Sequence, residues 1–225
     1  MPYYLIHCCN NRMWYVKEHL IPSMLEQGIP SDNILVYQDI NGIGNLRAFV
    51  DSCNKLVQQS QKLHLNGVWH LQDDVVLSKD FAKQTTVYDT GIVCGFTCAY
   101  PTEPRAGMFK VAEHRMWYSF PCIRIPTYIL REFVEWANFN LWQSQYFNRM
   151  VKRNNADDLL FREWLYDNFP FEDELNLAPN LVNHVDKLIG GSVTNKSRDE
   201  EQDTMSIFWD EPDVIDNLKN KLNIK

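Results

Sequence analysis

The chain has 225 residues, of which 45% are hydrophobic and 23% charged, with a formal net charge of -7. That describes a globular chain long enough for one large domain. Its acidic balance argues against holding nucleic acid by bulk electrostatics, which needs Lys and Arg to displace counterions from phosphates. The cysteines (Cys8, Cys9, Cys53, Cys94, Cys98, Cys122) form no CxxC pair. They read as small buried hydrophobes in a reducing compartment rather than as zinc ligands.

The opening "MPYYLIHCCNNR" lacks a basic region followed by a long apolar run, so neither a signal peptide nor membrane insertion is expected, and a cytoplasmic location is. "YYLIHC" reads as a first strand emptying into the polar turn "NNR". From Met13 to Gln27, Val16, Leu20, Met24 and Leu25 recur at helical spacing, with Pro22 as an expected kink and Gly28 as a stop. "NILVYQDI" is a second strand ending at Asp39. "NGIGN" then leads into a helix from Leu46 to about Ser60, with an apolar stripe of Leu46, Phe49 or Val50, Cys53 and Leu56 or Val57.

A third strand, Gly67 to Gln72, runs directly into Asp73 and Asp74, after which the apolar run resumes as Val75, Val76 and Leu77. Strand, helix, strand, helix, strand predicts an α/β fold with parallel strands, whose ligands collect beyond the carboxyl ends of the strands. In the second half, "TGIVCGF", "RMWYSFPCIRIP" and "NLVNHV" read as strands. Helices are expected over Tyr128 to Val151 and Asp157 to Asn168. The stretch from Ser197 is acidic, and residues 196–225 read as a mobile or loosely docked tail packing on or near a single domain of residues 1–195.

Adjacent carboxylates at the end of a buried strand repel each other unless a cation, a proton or hydrogen bonds offset the cost. Such a pair suits a hard divalent cation that bridges to phosphate, and equally a solvated turn in which one acid caps a backbone N–H. Asp157 and Asp158 open a helix, where acids complement the dipole; one of them facing a cleft would serve as a general base. His184 alternates with apolar neighbours, which fits a core histidine or a metal ligand. His7, His70 and His114 read as structural. "GIGN" does not meet GxGxxG, and neither a P-loop nor a GxSxG elbow is present.

Taken in order, these features resemble the GT-A glycosyltransferases over residues 3–195, which implies a GT-A-like, Rossmann-like mixed sheet, mainly parallel and flanked by helices. The resemblance matches "HCCNNR" with Arg12 to the nucleotide-facing first turn, Asp39 to the nucleoside contact, and Gly44, Asn45 and Arg47 to the loop and helix near the diphosphate. "QDD" is similar to the DxD motif: Asp74 at the metal position, Asp73 orienting the donor, and Gln72 where the family has its first acid. "ADD" is similar to the xED motif of inverting members, implying Asp158 or Asp157 as catalytic base. "PNLVNH" implies His184 as a further metal ligand, and Gly95, Phe96 and Trp117 fall where members line sugar pockets. The implied cofactor is Mn²⁺ or Mg²⁺, and the implied donor a nucleotide sugar, most often a UDP-sugar.

A narrower similarity is to bacteriophage enzymes that glycosylate 5-hydroxymethylated pyrimidines in DNA. "WQSQYFNRMVKRNN" interleaves aromatics with cations, and Tyr146, Arg149, Lys152 and Arg153 would meet an unstacked nucleotide and its phosphates. A solvated basic helix face explains the same stretch. The alternatives are transfer to a saccharide of lipopolysaccharide or capsule type, a non-catalytic carbohydrate-binding module, and a metal-dependent nucleotidyltransferase.

Overall fold

The computed structural model describes residues 1–40, 44–96, 107–111, 120–140, 157–191 and 209–224. Its strands are β1 (Tyr4–Cys9), β2 (Ile34–Asp39), β3 (Gly67–Gln72), β4 (Val75–Leu77), β5 (Ile92–Cys94), β6 (Gly107–Lys110), β7 (Cys122–Pro126), β8 (Asp173–Asn176) and β9 (Val182–His184). Among the described residues, a seven-stranded sheet runs in the order β2-β1-β3-β7-β5-β8-β6, and β4 pairs with β9 in a second, two-stranded sheet. β1 lies parallel to both β2 and β3, β7 is antiparallel to β3 and β5, β8 is parallel to β5, and β6 is antiparallel to β8. The sheet is therefore mixed, with β1, β2, β3, β5 and β8 running one way, as in Rossmann-like folds.

Residues alternate between two cores, as a sheet covered on both faces requires. From β1, Leu5 enters a core with Phe49, Cys53 and Leu56 of α3 (Asn45–Leu63), Ile129 and Phe133 of α5 (Thr127–Asn140), and Leu160 and Trp164 of α6 (Asp157–Asn168). Tyr4, Ile6 and Cys8 enter the other core, with Val16, Leu20 and Met24, Phe81 of α4 (Phe81–Val87), and Val75 and Leu77 of β4. All members of the stripe expected on α3 are buried.

The first helical segment runs as α1 (Met13–Tyr15), a π-helical stretch Val16–Leu20 and α2 (Ile21–Glu26). Pro22 follows directly on the π-helical stretch, whose last bond runs from the Ile21 N–H to Val16 O, and its missing N–H interrupts the ladder there. Strands β6 and β8 escape the sequence reading because each is four residues long and carries charge, leaving no clear period-2 signal. The described part of the C-terminal stretch, residues 209–224, packs on the domain. α7 (Pro212–Lys221) docks Ile215 and Leu218 on the second core, and the Lys79 backbone N–H donates to Glu211 Oε2 at 2.9 Å.

Gly95, just past β5, is fixed by close packing: a Cβ there would lie 2.7 Å from Cys122 Sγ and 3.2 Å from Leu181 Cδ1. Both neighbours are buried, so neither yields freely. Gly95→Ala is expected to cost about 1–3 kcal/mol of stability through overpacking, measured as a lower urea midpoint at unchanged slope.

Candidate functional site

The carboxyl ends of β1, β2 and β3 lie side by side. In register, Cys9 is opposite Asp39 and His7 is opposite Gln72. Beyond β3 the chain turns through Asp73 and Asp74 into β4, whose Val75 pairs with His184 of β9. The small sheet is pinned to this turn by Val185 N–H donating to Asp74 O at 2.8 Å and by Tyr15 Oη donating to Val75 O at 2.9 Å.

Both acids are buried, Asp73 at 6% and Asp74 at 7% exposure, and so is Arg12 at 6%. Arg12 Nη1 donates to Asp73 Oδ1 at 3.0 Å and to Asp74 Oδ2, while Nη2 donates to Gly191 O at 2.7 Å. Gly190 and Gly191, with φ of 116° and 82°, bend the chain through left-handed geometry to present that carbonyl. Asp73 Oδ2 accepts from the Cys9 N–H at 2.8 Å. On the other side, His184 Nε2 lies 3.0 Å from Asp74 Oδ2, and His184 Nδ1 lies 3.4 Å from Asp186 Oδ1.

These contacts set the charges. Burial favours a neutral Asp74, but His184 and then Arg12 outweigh it and hold the carboxyl well below the usual carboxylate range. Burial and the charge of Asp74 push Asp73 upward. Burial opposes protonation of His184, yet Asp74 and Asp186 overcome it and raise its pKa to about 10.

Asp74 Oδ1 is buried and has no hydrogen-bond partner among the described residues. Among those residues, no group of three or more His, Cys, Asp and Glu side chains is arranged to hold a metal ion. Two ligands do converge. Neighbouring ligands of an octahedral ion with bonds of about 2.1 Å lie about 3 Å apart, which is the separation of Asp74 Oδ2 and His184 Nε2. Asp186 on Nδ1 would fix the ring orientation, as outer partners of metal-bound histidines do. In the structure Asp74 and His184 are paired with each other, and Asp74 Oδ2 also accepts from Arg12.

The other expected site residues are placed as follows. Asp39 is half-buried at the end of β2, and its charge acts on His7. Gly44 and Arg47 are exposed at the head of α3, which Asn45 opens. Gln72 is half-buried, its N–H donating to Pro121 O at 3.2 Å. Phe96 is buried, with its ring centroid 6.5 Å from that of His184. Asp157 and Asp158 open α6, but their side chains fall outside the described part, as do Trp117, Tyr146, Arg149, Lys152 and Arg153.

Asp186 and Gly191 are the participants that sequence reading missed. Asp186 follows His184 by two residues in "HVD", a spacing shared with countless surface acids. A groove lined by Arg131, Glu132, Glu135, Trp136, Trp164 and Asn168 shares no residue with this site. No family model matches the chain, and no curated protein matches it. Among the described residues, no helix is long and apolar enough to cross a membrane.

His184 gives a pH signature. A group with a raised folded pKa contributes stability that is full below its unfolded value near 6.5 and is lost as the pH rises toward about 10. His7 and His70 act oppositely: burial lowers them to about 4 and about 3, so their contribution is lost as the pH falls through 6.5 toward those values. With chelator present, unfolding free energy is expected to peak near neutrality and fall by about 1.5–2 kcal/mol by pH 8.5. His184→Gln should remove the alkaline fall; an unchanged profile would show that His184 is not protonated in the fold.

Proposed function

We propose that the protein is a metal-dependent glycosyltransferase that moves a sugar from a nucleotide-sugar donor to an acceptor hydroxyl, with inversion. The observation that carries this reading is the convergence of Arg12, Asp73, Asp74 and His184 at the carboxyl edge of the parallel strands, with Asp186 behind the imidazole. Ligands of open α/β sheets collect at this edge. Asp39 lies across two strand spacings, about 10 Å, from the turn that follows β3, in the order β2-β1-β3. That span suits a nucleoside at one end and its diphosphate at the other.

In this mechanism Asp74 and His184 would hold Mn²⁺ or Mg²⁺, His184 giving up its proton to do so. When bound, the cation supplies charge neutralisation of the departing diphosphate. Asp73, fixed by the Cys9 N–H and Arg12, keeps the turn rigid so that the donor is oriented. Asp39 and Gln72 offer a carboxylate and an amide to ribose hydroxyls. Asp158, or Asp157 beside it, takes the proton of the acceptor hydroxyl as its oxygen bonds to the anomeric carbon. The bond from that carbon to the diphosphate breaks, the nucleoside diphosphate leaves with the electron pair, and attack from the opposite face inverts the carbon.

The acceptor we favour is a 5-hydroxymethylated pyrimidine in DNA, met by Tyr146, Arg149, Lys152 and Arg153, whose mix of aromatics and cations supports it. The net charge of -7 supports the second acceptor class, a saccharide. A panel of nucleotide sugars with Mn²⁺ or Mg²⁺, offered with hydroxymethylated DNA, plain DNA and oligosaccharides, tests both through released nucleoside diphosphate. Transfer to DNA should weaken steeply with added salt; transfer to a neutral sugar should not. Asp158→Asn or Asp157→Asn should bind donor normally and lose about 100-fold or more in transfer. Asp186→Asn should weaken metal affinity about 10–100-fold. Activity that survives chelator would remove the metal, and no release from any donor would remove the glycosyltransferase reading.

A further inference from the structure

We propose that the groove between α5 and α6 is a second binding site and that it takes an uncharged saccharide. The inference does not depend on the glycosyltransferase reading, because it uses none of the residues at the strand edge.

The groove has a volume of about 480 Å³, within the roughly 300–1,000 Å³ of small-ligand sites. Arg131, Glu132, Glu135 and Trp136 come to it from one face of α5, at helical spacing, and Trp164 and Asn168 from α6. Its aromatic wall is set by packing. Trp164 is only 2% exposed, with its ring centroid 5.2 Å from that of Phe133 and 6.3 Å from that of Trp136. Trp136 stacks on Phe133 and is half-buried, so it is the ring of the pair that solvent still reaches.

Two polar observations point to a ligand. Trp164 Nε1 is buried without a hydrogen-bond partner among the described residues, although a buried indole N–H usually finds an acceptor. Arg131 and Glu135, four residues apart, are placed to pair on the helix surface. Yet among the described residues neither they nor Glu132 make an ion pair, and all three are exposed. Asn168 Nδ2 donates to Trp164 O at 2.7 Å, which holds the amide at the groove.

The donor set selects the ligand class. Guanidinium groups only donate and carboxylates only accept, whereas each hydroxyl of a sugar does both. An anion would meet Glu132 and Glu135, and a cation would meet Arg131. An apolar ligand would desolvate all three charges without compensation. A neutral saccharide satisfies donors and acceptors together and lays a C–H face on Trp136. At 1.5 Å per residue, Trp164 and Asn168 lie about 10 and 16 Å along α6 from Asp157, so a saccharide seated here leaves the proposed base free.

The experiment titrates the whole protein with neutral oligosaccharides containing glucose, galactose or mannose, followed by tryptophan fluorescence and saturation-transfer-difference NMR. A sialylated oligosaccharide and choline serve as the anionic and cationic comparisons. At least one neutral oligosaccharide should bind at millimolar concentration or below, shift the emission and show saturated C–H protons, and excess UDP should not displace it. Glu135→Gln should weaken binding about tenfold, the usual loss for a hydrogen bond to a charged group, and Trp136→Ala should abolish the emission change. Trp136 packs on the core, so Glu135→Gln, on the exposed face, decides the matter if Trp136→Ala loses its near-UV circular dichroism. No binding of any neutral oligosaccharide, binding unchanged in Glu135→Gln, or displacement by UDP would overturn the inference. Tighter binding of choline or of the sialylated oligosaccharide than of every neutral one would overturn the ligand class.

Discussion

The contact of one buried guanidinium with two adjacent carboxylates is the constraint around which this protein is organised. Asp73 and Asp74 are consecutive, buried and alike in charge, an arrangement that does not persist in a low dielectric without a cation. Arg12 supplies it, and in doing so ties the turn after β1 to the turn after β3 and to Gly191, beyond the helical turn Asp186–Ile189 that follows β9. Removing one partner from a buried ion pair typically costs about 3–5 kcal/mol, because the remaining charge is stranded. The pair's value is therefore more in fixing where three chain segments meet than in net stability.

A second layer follows from that junction. The turn at Asp73 and Asp74 reverses the chain into β4, and β4 recruits β9 as its antiparallel partner. This pairing brings His184 to Asp74 across more than a hundred residues of sequence. The apolar residues flanking it, Val75, Leu77, Val182 and Val185, are buried in the second core, so hydrophobic packing holds the polar contact in place. α7 closes the same core with Ile215 and Leu218, which explains why an acidic C-terminal stretch still docks. The charged residues of that helix face outward: the Lys79 and Asp213 side chains pair at 2.7 Å while more than half exposed, which contributes little to stability.

The proposed chemistry uses the same electrostatic economy. Three carboxylates, Asp73, Asp74 and Asp186, meet two cationic groups, Arg12 and His184, so their charges nearly cancel before any ligand arrives. The cluster leaves one buried oxygen, Asp74 Oδ1, without a hydrogen-bond partner among the described residues. Orientation by Asp186 and rigidity from the Cys9 N–H give the site fixed geometry at a sheet edge, where strands rather than loops set the positions of the groups.

The sequence by itself determined the elements with a strong local apolar signal: β1, β2 and β3, the buried stripe of α3 and the helix from Asp157 to Asn168. β1 and β3 are short, nearly continuous buried runs, the two helices bury apolar residues against the same core, and β2, which buries only Tyr37, is legible from its apolar, β-branched composition. The sequence also pointed to Asp73 and Asp74, because like charges after an apolar strand violate a local rule. Tertiary structure alone decided which cation answers them. Nothing local distinguishes Arg12 from other arginines, Asp186 from other acids, or the glycines at 190 and 191 from an ordinary turn. Their roles arise when parallel strands place the turns after β1 and β3 at one edge and β9 folds back on β4, and contacts between residues far apart in sequence leave no periodic trace in the chain.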